Sequence, residues 1–145
     1  MAQVIVTAER EVSGSAPQVR AALADYAQTR PKILTGQFSD YDVRAGGQGA
    51  GTQVHWKFAA TSKRVRDQLM SVSEPADGSL VESDANSTMV TTWRVADVGE
   101  GRALVSVRTT WDGAGGIGGF FERTFAPKGL SRVYQEMIAK LDDLA

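Results

Sequence analysis

The chain has 145 residues, the size of one domain, and its 16 basic and 17 acidic residues give a formal charge of -1, which leaves no basic footprint for nucleic acid or an anionic membrane surface. Hydrophobic residues at 42% and charged residues at 23% are ordinary for a globular protein and set aside disordered and fibrous classes, while zero cysteines exclude thiol catalysis, disulfides and thiolate metal sites. The start Met1-Ala2-Gln3-Val4-Ile5-Val6 lacks the basic and long apolar regions of a secretory signal, and no later segment approaches the ~20 apolar residues of a membrane span, so a cytoplasmic protein without stable membrane insertion is expected.

In chain order, Val4, Val6, Ala8 and Val12 alternate with Ile5, Thr7, Glu9 and Glu11, the period-2 pattern of a half-buried strand. Ser15-Ala16-Pro17-Gln18 then has the form of a capping box with proline in the first turn. Val19, Ala22, Leu23 and Tyr26 come next at i, i+3, i+4 and i+7 as the apolar face of a short helix. Thr29-Arg30-Pro31 is expected to break that helix, because the residue before proline is pushed out of the helical region. A second short turn through Ile33 and Leu34 closes at Gly36.

The rest of the middle reads as strands. Phe38 to Arg44 and Thr52 to Ala60 flank Gly46-Gly47-Gln48-Gly49-Ala50-Gly51, a hairpin connection whose glycines permit positive φ. In the second of these, Val54, Trp56 and Phe58 share one face, and Gln53, His55 and Lys57 the other. Lys63 to Glu74 has mixed apolar phase, which leaves open whether Met70 and Val72 or Val65 and Leu69 face inward. Pro75-Ala76-Asp77-Gly78 is a turn, and Leu80 to Asp84, Met89 to Val98 and Ala103 to Trp111 complete the run. Met89, Thr91, Trp93 and Val95 share a face, as do Val105, Val107, Thr109 and Trp111.

Five of the seven residues from Gly113 to Gly119 are glycine, a backbone free to turn sharply from the last strand into the terminal helix. Gly113-Ala114-Gly115-Gly116-Ile117-Gly118 fits G-x-G-x-x-G, but no strand comes after the helix and no ribose-binding acid about twenty residues on, as a dinucleotide site requires. The run is therefore read as a hinge. Ile117, Phe120, Phe121 and Phe125 form a short apolar stripe. Pro127 and Gly129 then predict a kink or fresh helix start near Ala126. Leu130, Val133, Tyr134, Met137, Ile138, Leu141 and Leu144 make the apolar face of a long terminal helix. Such a sheet needs a cover, and this helix supplies one.

The order of elements resembles the helix-grip fold of the START-like (SRPBCC) superfamily, which holds polyketide cyclase/dehydrase-like and lipid-transfer-like proteins related to the Bet v 1 type. The resemblance spans the whole chain as one domain, 1–145. It rests on Val12-Ser13-Gly14-Ser15-Ala16-Pro17-Gln18-Val19, on Gly47 to Thr52, on Ser71-Val72-Ser73-Glu74-Pro75 and on Gly115 to Pro127. It implies an α+β fold: a seven-stranded curved antiparallel sheet wrapped around a long C-terminal helix, with two short helices between strands one and two and an internal apolar cavity.

The residues that suit such a cavity are the rings Trp56, Phe58, Trp93, Trp111, Phe120, Phe121, Phe125 and Tyr134 and the adaptable Met89 and Met137, with Thr91, Thr109 and the Tyr134 hydroxyl as its few polar contacts. For any single one of these residues, core packing is the plainer alternative. His55, the only histidine, is expected on the outer, solvated side, and it excludes a site with several histidines; no metal or cofactor is expected. Lys57, Arg64 and Arg66 form either a solvated charged face or an attraction for an anionic head group. Asp67, Glu82 and Asp84 are the acids able to enter the cavity, and no pair among them stands out for acid-base work. The expected function is binding, sequestration or transport of a hydrophobic small molecule (lipid, fatty acyl or polyketide-like), with no catalytic residue assigned. A cyclase or aromatase is the alternative and predicts a buried Asp or Glu facing the cavity. A protein-interaction module is another, and it predicts exposed Phe120 and Phe121; no particular protein partner is indicated.

Overall fold

A computed structural model of the chain describes residues 3–61, 64–112 and 126–144. The elements run β1 (Gln3–Ser13), α1 (Ala16–Leu23), α2 (Thr29–Ile33), β2 (Phe38–Ala45), β3 (Gln53–Thr61), β4 (Arg64–Ser73), β5 (Leu80–Asp84), β6 (Val90–Gly99), β7 (Arg102–Asp112) and α3 (Ala126–Asp143). The hinge at Gly113–Gly119, Ile117, Phe120, Phe121 and Phe125 lie outside the described residues, as does Lys63.

The seven strands form one curved antiparallel sheet in the order β1-β7-β6-β5-β4-β3-β2. This is the expected helix-grip arrangement, with α3 gripped by the concave face. The strands β1 and β7 bury alternate residues over most of their length, as a sheet covered on one side must. Val4, Val6, Ala8 and Val12 of β1 and Val105, Val107, Thr109 and Trp111 of β7 are buried. Register settles the ambiguous β4: Gln68 pairs with Trp56 and Met70 with Val54, so Gln68, Met70 and Val72 are buried while Val65 is 58% exposed. A one-residue slip would reverse every one of these.

Helix α3 buries Leu130, Val133, Tyr134, Met137, Ile138 and Leu141. Leu144 departs from the expected stripe and is 49% exposed, because the helix ends at Asp143. The polar side of α3 runs along the open edge of β1. There Ser131 Oγ donates to Thr7 O at 2.9 Å and Gln135 Nε2 to Glu9 O at 3.1 Å, while Ser13 N donates to Asp142 Oδ1 at 2.7 Å. These bonds satisfy backbone groups that an uncovered edge would offer to another chain. Lys140 Nζ donates to Leu34 O at 3.0 Å and ties the helix to the residue after α2.

Ser15 caps α1 through the expected reciprocal pair, Gln18 N to Ser15 Oγ and Ser15 N to Gln18 Oε1, both 3.3 Å. Ser15→Ala is expected to lower the unfolding free energy by about 1 kcal/mol and Ser15→Gly by only about a few tenths, read from urea unfolding midpoints. Thr29-Arg30-Pro31 corrects the sequence reading. It opens α2 instead of ending α1, which already stops at Leu23. A proline in the first helical turn removes an N–H that has no intrahelical partner in any case.

Between β2 and β3, Gly46 adopts φ +66° with its missing Cβ 2.9 Å from Thr52 Cα, so only glycine fits there. The loop folds onto the α1–α2 connection, where Tyr26 N donates to Gly47 O at 2.9 Å and Gly49 N to Ala24 O at 2.9 Å. Its position fixes Tyr26, which points into the core with 0% exposure.

Candidate functional site

The concave face and α3 enclose a cavity. Strand β3 contributes Trp56 and Phe58, β6 contributes Thr91 and Trp93, Met89 precedes β6, and α3 contributes Tyr134 and Met137. The space open to the centre of a water molecule is about 30 Å³. By that measure roughly 10–15 Å³ accommodates one water, so this conformation has room for about two or three waters. Thr109 reaches the same place through its hydroxyl, which shares hydrogen bonds with Tyr134 (2.5 Å) and Thr91 (2.8 Å). Trp111 lies one same-face step further along β7, buried at 4% but not bordering this cavity. Phe120, Phe121 and Phe125 lie outside the described residues.

One wall is charged. Arg30 of α2 and Glu82 of β5 are 1% and 2% exposed, both border the cavity, and Arg30 Nη1 donates to Glu82 Oε2 at 2.6 Å. The Tyr26 hydroxyl also donates to Oε2, and Trp93 Nε1 donates to Oε1 at 3.3 Å. The guanidinium carbon sits 4.5 Å from the Tyr26 ring centroid and 5.2 Å from that of Trp93, within cation-π range. Arg30 Nη2 donates to Leu23 O at 2.8 Å, whereas Arg30 Nε has no acceptor among the described residues.

Burial is the largest single influence on Arg30 and pulls its pKa down, but the Glu82 charge and then Tyr26 more than offset it, so the guanidinium is held above its ordinary value. The Tyr26 phenol is pushed up by burial, against the opposing Arg30 charge. A second polar pair lies on the β3–β4 side, where Trp56 Nε1 donates to Gln68 Oε1 at 2.7 Å and Gln68 Nε2 to Met89 Sδ at 3.0 Å. The cavity is thus apolar in its bulk, with polar groups already in hydrogen bonds that a ligand can exchange.

The three candidate acids separate. Glu82 faces the cavity. Asp84 is buried but accepts from Leu69 N, Asn86 N and Ser87 Oγ, which makes it a turn residue. Asp67 is exposed on the convex side. Its partner there is His55, whose Nε2 lies 2.8 Å from Asp67 Oδ1 and whose Nδ1 lies 3.0 Å from Asp40 O. His55 has the expected strand phase but is not solvated. It is 8% exposed, because the Asp67 side chain and the β2 backbone at Asp40 close over it. Lys57 pairs with Asp40 on that same convex side at 3.2 Å. Arg66 is on the other face, paired in register with Phe58, so the three cations do not form one cluster.

Arg30 is the functional candidate that sequence reasoning passed over. Leu23, Tyr26, Arg30 and Ile33 fall at i, i+3, i+7 and i+10, so an arginine interrupts an apolar helical phase. Glu82 likewise shares a strand phase with Leu80. Opposite charges inside two apolar phases are the signal of a buried pair. Among the described residues no three His, Cys, Asp or Glu side chains are grouped to hold a metal ion, and no helix is long and apolar enough to cross a membrane.

The architecture recurs in solved structures. The chain is similar to the KanY protein, solved by NMR, at 45% identity and a TM-score of 0.89, covering 99% of this chain and 98% of that one. It is similar in fold to a START superfamily protein from Mycobacterium smegmatis, at 14% identity, a TM-score of 0.76 and coverage of 97% and 99%. Norcoclaurine synthase from Thalictrum flavum, in complex with dopamine and hydroxybenzaldehyde, shares the fold at 15% identity and a TM-score of 0.69, covering 99% of this chain and 86% of that one. No curated protein matches the chain. Residues 3–145 match the family described as polyketide cyclase / dehydrase and lipid transport. With a helix gripped by a seven-stranded sheet and a match over nearly its whole length, the chain belongs to that family, within the START-like superfamily.

Proposed function

We propose that the chain binds a hydrophobic small molecule, a lipid, fatty acyl or polyketide-like compound, between the concave sheet and α3. The observation that carries this reading is the cavity lined by Trp56, Phe58, Trp93, Met89 and Met137, with polar groups confined to the Arg30–Glu82 wall and the Thr91–Thr109–Tyr134 hydroxyls. Trp111, Phe120, Phe121 and Phe125 complete the proposed set from the sequence. Ligand sites typically enclose ~300–1,000 Å³, so uptake requires the walls to move. Met89 and Met137 are the side chains best suited to yield, being unbranched and polarizable. In norcoclaurine synthase the same fold accommodates two small aromatic molecules, which supports a cavity able to open.

Native mass spectrometry and tryptophan fluorescence titration with fatty acids and flat polycyclic phenols are expected to detect uptake. Met137→Phe, which adds bulk from the helix side, is expected to weaken it. Uptake by neither ligand class, with a cavity that stays closed in solution, sinks the reading.

A second reading, a cyclase or aromatase, is favoured by Glu82, the buried acid facing the cavity. Glu82 and Arg30 together can position a carbonyl or enol, although Glu82 must first release Tyr26 or Trp93 to take a proton. Cyclisation of a linear poly-β-carbonyl thioester, lost in Glu82→Gln while uptake persists, would favour catalysis over carriage.

A further inference from the structure

We propose that Glu82 sets the charge of the ligand: it fills the anion site that Arg30 would otherwise offer, so that the cavity takes uncharged molecules and excludes an ionised carboxylate. This rests on the cavity-binding reading above and specifies its ligand class. Among the described residues that border the cavity, only Arg30 and Glu82 are charged, and they neutralise each other through the 2.6 Å contact of Arg30 Nη1 with Glu82 Oε2. A ligand carboxylate entering this space would shed its water and meet no unpaired cation among these residues. An ion buried without a partner is strongly disfavoured. Displacing Glu82 from Arg30 brings no relief, because whichever carboxylate takes the guanidinium, the other is left as a buried negative charge.

Glu82 is held in this place from three segments. Its Oε2 accepts from Arg30 Nη1 of α2 and from the Tyr26 hydroxyl after α1, and its Oε1 from Trp93 Nε1 of β6. Its register partners Val72 and Thr91 carry no charge. The phenols of Tyr26, Tyr41 and Tyr134 feel both Arg30 and Glu82, but burial is the largest influence on each and holds it above its ordinary value, so all three stay neutral below pH ~9. Asp25, whose charge also reaches Tyr41, accepts from Ala27 N and Gln28 N in the turn before α2. Asp84, two residues along β5, is committed to Leu69 N, Asn86 N and Ser87 Oγ. The charge balance of the cavity wall therefore rests on the one pair, and a fatty acid enters it as the protonated, neutral acid.

The test compares decanoate with decanamide, equal in length and different in charge, by tryptophan fluorescence titration between about pH 6 and pH 8.5, where an ordinary carboxyl group is ionised. Near pH ~7.5 the wild type is expected to bind the amide about a hundredfold or more tightly than the acid, because burial disfavours the charged form. Affinity for the acid should fall about tenfold per pH unit across the series, following its protonated fraction, while affinity for the amide stays level. Glu82→Gln leaves Arg30 without its counter-ion and should raise decanoate affinity to that of decanamide or above it. Arg30→Met combined with Glu82→Leu removes both charges and should reject decanoate again. If Glu82→Gln does not fold, the wild-type pH series decides alone. Decanoate bound by the wild type as tightly as decanamide, or with an affinity indifferent to pH, overturns the charge selection and leaves the cavity reading standing. A folded Glu82→Gln that still rejects decanoate does the same. Binding of neither compound at any pH overturns the cavity reading as well.

Discussion

Arg30→Met is expected to lower the unfolding free energy by about 3–5 kcal/mol, the usual cost of removing one partner of a buried ion pair. The change leaves the Glu82 carboxylate at 2% exposure without the cation it is paired with, and Leu23 O loses the hydrogen bond it accepts from Arg30 Nη2. Arg30→Met combined with Glu82→Leu should recover most of the loss, because an apolar pair has no charge to desolvate. The four proteins of that double-mutant cycle, unfolded in urea, give the coupling energy directly. Additive losses would show that the two charges are not coupled. The double variant also separates stability from recognition. If the charged wall orients a ligand's polar atom, this variant folds and takes up plain hydrocarbons, yet loses discrimination among ligands that differ only in a hydroxyl or carbonyl.

Raising the pH through about 10, the ordinary tyrosine pKa, is expected to destabilise the fold without ionising its tyrosines first. All three tyrosines of the chain, Tyr26, Tyr41 and Tyr134, are held above their ordinary value, in each case chiefly by burial. Tyr134 is pushed up from 10.0 to about 12, against the lowering effect of hydrogen bonds with Thr109 and Thr91. A raised phenol pKa means that above pH ~10 the folded state keeps a proton that the unfolded state gives up. The stabilisation is therefore complete below the unfolded pKa and lost as pH rises through the folded one. For Tyr134 alone the difference amounts to on the order of 3 kcal/mol over that window. Tyrosinate absorbance tracked together with circular dichroism checks this. Phenols that titrate near pH ~10 while the circular dichroism stays native would contradict the burial described for them.

The periodicities carried the strands and the long helix because each has one buried face, and a half-buried element writes its period into its sequence. Trp56, Trp93 and Tyr134 were legible as inward residues for that reason. Strand β4 was not, since Val65 and Leu69 are apolar on its convex side, and only pairing with β3 shows that Gln68 and Met70 face in. His55 had a readable phase but an unreadable burial, because the residues that cover it, Asp40 and Asp67, come from two neighbouring strands. Arg30 was hidden by the proline after it, which reads locally as a helix break.

What the sequence determined by itself was the fold class, the strand-and-helix order and the apolar character of the surface that α3 covers, all of which stem from local residue patterns. The tertiary structure alone decided which polar groups enter that apolar space. Arg30 and Glu82, which do, stand 52 residues apart. A buried charge is tolerable only beside its partner, and that partner is chosen by the packing of α2 onto α3 and α1, which no local pattern encodes.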